Sequence, residues 1–546
     1  MNPAFSKRGF QILSVVALAI LLRLGVSTQF FLLTEFFSSP PRAAFDHIEP
    51  HQPWDLNTSP NPNNTGHLVF NVASSLLQNW PNTRYRNGHT VVPGTIPPNT
   101  LLYHGRSNSN FPNGSDWTSV DPEHSYLFCR LREECWHLTL VTTRTLRVLY
   151  FDGSSAVKMR GGSMDTQDLL IWGEARDDKA FQEEERLGLL CENWGKEFHL
   201  DGFVRMEMDF EVMLCDMSPR GGLETISFVR LHAPPQTPED IQLRNFELVH
   251  STSQHNHYPG ETRVKLDLSR LVTLYDTALW LPSTPAPLES DRFDHRAASP
   301  WMDVEAFRRR VRDALGEGRR EEKNSGVDWS ALMNVILKRY GTRLETLRYI
   351  LDHRPTSQLE LGDIAAKAFT QLDVMMTPYI MADAIHHRNS SSNTDWEWTS
   401  SIYEMCSNSH TDFIRKLDRS LTQSERLLLK AIRETTREIC RVLVKAWGLG
   451  CLRGISQNSH TANDIVNTWR EDIAGLMQWL DWSLWVRCTP QCGVDELCYL
   501  PTWPFFGGPP PADVYIPEDR KPTAEEENRW RKPSPQCISR IAPYEL

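Results

Sequence analysis

Lys7-Arg8 followed by the apolar run Phe10–Leu22 decides the environment in which the rest of this chain must fold. A basic start and a short apolar stretch mark entry into the secretory pathway. The remainder is therefore expected in an oxidising lumen or outside the cell, where cysteines pair. Apolar character resumes after Arg23 with Leu24, Val26 and Phe30–Leu33. Fourteen strong apolar residues between Phe10 and Leu32 favour insertion by about 7 kcal/mol, and Arg23 costs about 3 kcal/mol. An uncleaved type II anchor and cleavage after Ser27 both fit this balance, and the anchor reading is adopted. Because the basic residues precede the run, the positive-inside rule sends the C-terminal bulk to the lumen. No later segment is long and apolar enough to span.

The compartment gives meaning to eleven cysteines among 546 residues. Cys129 lies near Cys135, and Cys488, Cys492 and Cys498 cluster before Cys537. No histidine follows that cluster at zinc-finger spacing, so disulfides are expected and no metal site. Sequons at Asn57, Asn63, Asn113 and Asn389 suit a glycoprotein. A net charge of −11 with interspersed signs excludes a nucleic-acid partner, since no basic stripe is interleaved with aromatics. The membrane is the one partner expected, through the N-terminal segment, and no protein partner is legible.

Hydrophobic period divides the rest into an α+β chain. Residues 1–37 form the signal-anchor segment, and residues 38–66 a Pro/Asn/Ser-rich stalk. An N-terminal mixed β-sheet domain is expected over 67–280, with strands at Leu101–Tyr103, Trp136–Val141, Leu146–Phe151, Phe210–Cys215, Ile226–Leu231 and Arg263–Leu268. Between them Phe181–Phe198 reads as a helix. A helical, disulfide-stapled C-terminal region follows over 300–500. There Thr422 and Glu425 form a capping box before a helix stopped by Gly448, and a Trp-rich helix spans Ile465–Trp485. The tail, 501–546, is Pro-rich and irregular, held to the body by Cys537.

The chain has no G-x-S-x-G elbow, H-E-x-x-H, P-loop or G-x-G-x-x-G. His255-Asn256-His257 reads as a surface loop without a nearby carboxylate pair. The strand Leu101-Leu102-Tyr103 ends in His104-Gly105-Arg106, and Asp116-Trp117-Thr118-Ser119 follows. Asp121 is an N-cap-type residue before Pro122, which places Tyr126 in the first turns of a helix. Later, Asp201-Gly202-Phe203 leads to Glu207, Asp209 and Glu211, whose alternation puts them on one face of a strand.

This order resembles the ADP-ribosyltransferase superfamily, with a His in an L-Y-H-G strand, a Tyr at a helix and a Glu on a late strand. The resemblance implies NAD as cofactor. His104 would bond the nicotinamide ribose, Tyr126 would stack on the nicotinamide, and Glu211 would hold the ribose 2′-OH. Gly105, Arg106 and Ser119 would line the same site. The fixed carboxylate would stabilise an oxocarbenium-like transition state. Across its length the chain also resembles a family of uncharacterised fungal secretory-pathway proteins, in stretches such as Asn82–His89 and Tyr150–Ser155. Two other functions compete: a non-catalytic lumenal or cell-surface interaction protein, and a type II glycan-modifying enzyme. The second lacks the D-x-D that nucleotide-sugar transferases use, Glu207-Met208-Asp209 being the nearest approach.

Overall fold

The computed structural model describes residues 54–544, apart from 113, 130–133, 159–161, 233–236, 280–294, 297–301, 317–323, 385–395, 454–458 and 503–532. Ten strands form one sheet: β1 Thr90–Ile96, β2 Leu101–Arg106, β3 Asp116–Ser119, β4 Trp136–Thr142, β5 Leu146–Phe151, β6 Gly202–Met206, β7 Phe210–Leu214, β8 Leu223–Arg230, β9 Lys265–Leu266 and β10 Val272–Thr273. Their order is β10-β1-β5-β6-β7-β3-β2-β4-β8, with β9 also on β1. Every pairing is antiparallel except β5 with β6. A parallel pair needs a crossover, and the chain makes it through helices Asp165–Ile171 and Glu183–Leu190.

β6 and β7 are buried at every position, which their near-continuous apolar sequence allows. Leu149, Phe151, Phe203 and Met213 share one core with Leu187, Leu190 and Trp194 of the crossover and with Phe307 and Val311 of helix Val304–Leu315. Tyr150 bonds Asn82 Oδ1 through its hydroxyl at 3.2 Å. β4 instead alternates between buried and half-buried residues, with Leu138, Leu140 and Thr142 inside.

The expected strand Arg263–Leu268 shrinks to Lys265–Leu266, because Asp267 Oδ1 accepts from the Ser269 amide at 3.1 Å and turns the backbone away. The helix expected over 181–198 starts at Glu183, passes through a π turn at Cys191–Gly195 and ends at His199 in the left-handed region.

The C-terminal half is helical. Trp329–Asp352 buries Met333, Ile336, Tyr340, Leu344, Leu347 and Leu351 at spacings of three and four. The capping box forms: Thr422 Oγ1 accepts from the Glu425 amide at 3.1 Å, and Glu425 Oε2 from the Thr422 amide at 2.8 Å. The helix it opens, Gln423–Arg453, does not stop at Gly448. A Cβ there would stand 2.7 Å from the Trp396 ring, so this glycine serves close packing. No helix among the described residues is long and apolar enough to cross a membrane.

Sheet and helices belong to one compact unit, Asp55–Leu546. Residues 55–66, the far end of the expected stalk, are tied into it. Leu56 is buried and its carbonyl accepts from Arg441 at 2.9 Å, while Thr65 Oγ1 donates to the Tyr275 carbonyl at 2.6 Å. Asn57 and Asn63 are exposed, whereas Asn113 and Asn389 lie outside the described residues, as do residues 1–53.

Ten cysteines pair, as Cys129–Cys135, Cys191–Cys215, Cys406–Cys440, Cys488–Cys498 and Cys492–Cys537. Cys451 lies outside these bonds. Cys537 sits on β12 (Gln536–Ser539), which pairs with β11 (Glu496–Tyr499), so the last strand is stapled to the body. The chain is thus a disulfide-linked α+β protein with its sheet first and its helices after.

Candidate metal centre

The acidic run Glu207, Asp209 and Glu211 was expected on one strand face. The structure corrects this. Residues 207–209 form the tight turn between β6 and β7, closed by the Glu207 amide on the Asp209 carbonyl at 3.1 Å. A turn breaks the alternation, so the three carboxylates part. Glu207 meets Lys158 Nζ at 3.1 Å and His124 Nε2 at 3.4 Å. Glu211 pairs with Arg205 across the hairpin at 2.8 Å. Asp209 turns elsewhere.

Asp209 is fully buried. Its Oδ1 accepts from the Phe210 amide at 2.7 Å and the Thr252 hydroxyl at 3.5 Å, while Oδ2 accepts no hydrogen bond. An ionised oxygen held dry without a donor is costly, so this carboxyl tends to keep a proton, which it shares with Asp121. Burial pushes the Asp209 carboxyl up, the charge of Asp121 adds to this, and the group sits at about 7.

Asp121 has the backbone of an N-cap before Pro122–Ser125, yet its side chain makes no cap bond. Instead Oδ2 faces His255 Nε2 at 3.2 Å and Oδ1 accepts from Arg263 Nη1 at 3.0 Å. Burial opposes ionisation of Asp121, but the bonds to His255 and Arg263, with a further one from the Asp209 carboxyl, overcome it and hold Asp121 below the usual carboxylate range. His255 follows helix Pro238–Ser253, fixed by its carbonyl on the Asn79 amide at 3.1 Å. Burial lowers its imidazole, and the Asp121 bond more than reverses this, leaving it raised. Glu261 Oε2 lies 3.4 Å from the same His255 nitrogen, and Arg263 also pairs with Glu261.

One ligand atom each from Asp121, Asp209 and His255 falls within 4.8 Å of the others. Asp121 and His255 keep side-chain exposures of 19% and 15%, so the group is reachable from solvent on their side. Two carboxylates and an imidazole are a donor set for zinc or manganese. Arg263 on the outer oxygen of Asp121 and Glu261 beside His255 are the supporting contacts that orient such ligands. The other cysteine-rich candidate, Cys488, Cys492 and Cys537, is consumed by disulfides. Near His255 in sequence there is no carboxylate pair; the fold supplies one, with Asp121 134 residues away in sequence.

Of the residues singled out for NAD, Ser119 and Glu211 stand opposite each other on neighbouring strands. Tyr103 pairs with Ser119, which puts these three on one sheet face and His104 on the other. His104 Nδ1 bonds the Trp117 carbonyl. Tyr126 lies in a short 3₁₀ turn with the Arg244 guanidinium 4.6 Å above its ring. A Cβ on Gly105 would meet the Ser125 carbonyl at 2.2 Å, so that glycine lets the following helix touch the sheet. Ser119 Oγ donates to the Asp121 carbonyl at 2.7 Å, and Arg106 lies 3.9 Å from Asp116.

Fold and centre define a disulfide-linked α+β protein with a buried carboxylate–histidine group at a hairpin turn. The model of the YPL277C N-terminal domain matches residues 129–243, which contain the turn but neither Asp121 nor His255. The uncharacterised protein YOR389W of Saccharomyces cerevisiae is 24% identical over 553 residues, covering 82% of each chain. The uncharacterised YPL277C of the same yeast is 30% identical over 216 residues, 31% of this chain and 44% of its own. The likeness to uncharacterised fungal proteins is thus present. No solved structure matches.

Proposed function

We propose that this chain is a lumenal or cell-surface glycoprotein, held to the membrane by its N-terminal apolar segment, whose body binds a divalent cation through Asp121, Asp209 and His255. The observation that carries the cation reading is the buried Oδ2 of Asp209, which accepts no hydrogen bond and lies beside Asp121 and His255. A cation there would be held by that oxygen, Asp121 and His255 Nε2, in place of the protons that Asp209 and His255 hold. Three protein donors leave coordination positions for water or a substrate oxygen, the pattern of hydrolytic rather than purely structural sites. Five disulfides support the oxidising compartment. Exposed sequons at Asn57 and Asn63 support glycosylation.

The NAD-using reading, with His104, Tyr126 and Glu211 as its residues, ranks below this one. It needs His104 and Glu211 on one side of the sheet, and Arg205 already occupies Glu211. Equilibrium dialysis of the full chain against zinc or manganese, followed by elemental analysis, tests the cation reading. One equivalent retained by the protein and lost in Asp209→Ala supports it; no retained metal, or equal retention by the variant, refutes it.

A further inference from the structure

We propose that the sheet face formed by β2, β3, β4 and β8 around Arg106, Asp116 and Trp136 is a binding site for a neutral pyranose ring of a glycan. This face uses side chains different from those of the cation centre. Strand register builds it. Arg106 pairs with Trp136 and Trp136 with Arg230; in the next row His104 pairs with Leu138 and Leu138 with Phe228. Facing partners project to the same side, so arginine, tryptophan, histidine and phenylalanine are set side by side. Asp116 joins them from β3, its Oδ2 at 3.6 Å from His104 Nε2 and 3.9 Å from Arg106 Nη1.

Two features make this more than an exposed sheet edge. The His104 side chain is only 6% exposed, yet its Nε2 has no hydrogen-bond partner, and neither has Arg106 Nη1. Both nitrogens stand just beyond bonding distance of one carboxylate oxygen; with its Nδ1–H given to the Trp117 carbonyl, the neutral imidazole offers Nε2 as an acceptor, so a hydroxyl closes the gap by donating to His104 Nε2 and accepting from Arg106 Nη1. Beside them is an aromatic wall. Trp136 lies 5.4 Å from Phe228, Phe111 meets Phe228 edge-on at 6.4 Å, and the indole is fixed by its bond to Glu134 at 2.9 Å. A ring carrying hydroxyls on its rim and C–H bonds on its face satisfies both halves, polar groups to the two nitrogens and the carboxylate, apolar face to the tryptophan.

Charge selects a neutral ligand. Asp116 is balanced by Arg106 and Glu134 by Arg230 at 3.1 Å, while burial pushes His104 down, towards the neutral imidazole.

The test is ligand-observed NMR and calorimetry on the full chain with methyl α-mannopyranoside, methyl β-glucopyranoside, N-acetylglucosamine and, as acidic comparator, N-acetylneuraminic acid. A neutral pyranoside should bind saturably in the millimolar range. Affinity should fall at least about tenfold in Trp136→Ala and in Asp116→Ala, and survive in Trp136→Phe, with melting temperatures checked for each. Asp116 is half-buried, so its variant serves if the tryptophan variant fails to fold. No saturable binding by any neutral pyranoside up to about 50 mM overturns the proposal. So does preference for the acidic sugar, or binding unchanged in both alanine variants.

Discussion

Arg205 on β6 and Glu211 on β7 stand directly opposite each other and close a 2.8 Å ion pair inside the sheet, with side-chain exposures of 0% and 3%. Arg205 also reaches Glu183 from the crossover helix, so one guanidinium joins sheet and helix. The hairpin that commits Glu211 to structure is the one whose turn leaves an oxygen of Asp209 without a donor.

Removing one partner of a buried ion pair leaves the other charge uncompensated, at about 3–5 kcal/mol. Because Arg205 keeps Glu183 as a partner, Glu211→Ala should destabilise the fold by less than this, about 1–3 kcal/mol, in urea titration. A change below about 0.5 kcal/mol would contradict a structural role for Glu211.

Two glycines test the packing of the helical half in opposite directions. Gly448→Ala puts a Cβ 2.7 Å from the Trp396 ring and should lower the melting temperature, although alanine is the better helix former. Gly362→Ala, where a Cβ meets nothing within 4 Å, should stabilise by up to about 1 kcal/mol. Thermal melts of the two variants moving in the same direction would overturn this.

Acid should release the contact between Glu207 and its partners. Burial pushes this carboxyl up, but the Lys158 charge and the His124 bond outweigh it and leave it at about 2, below its ordinary value of 4.5. Because the folded state holds the proton less tightly, this stabilisation is present above 4.5 and is lost as pH falls towards about 2. Urea midpoints measured across that window should fall less steeply in Glu207→Gln than in the native chain. Equal slopes would contradict the pairing.

Much of this architecture was legible in local pattern, and little of the centre was. Leu146–Phe151 carries its own strand signal and Thr422–Glu425 its own cap, so both form where the sequence puts them. Gly448 misled, because a helix-stopping residue and a residue yielding space to Trp396 look alike in one dimension. Asp121 has every mark of an N-cap, but two distant partners, His255 and Arg263, outbid the helix amides for its carboxylate. A tight turn at 207–209, unmarked by Gly or Pro, was the missing signal that separates Asp209 from Glu211.

The most direct test of the cation centre is calorimetric titration of zinc and manganese into the full chain, beside Asp209→Asn and His255→Ala with their folds checked by circular dichroism. One saturable site, abolished in both folded variants, is the predicted result. No heat of binding at millimolar metal, or binding that both variants retain, would contradict the account.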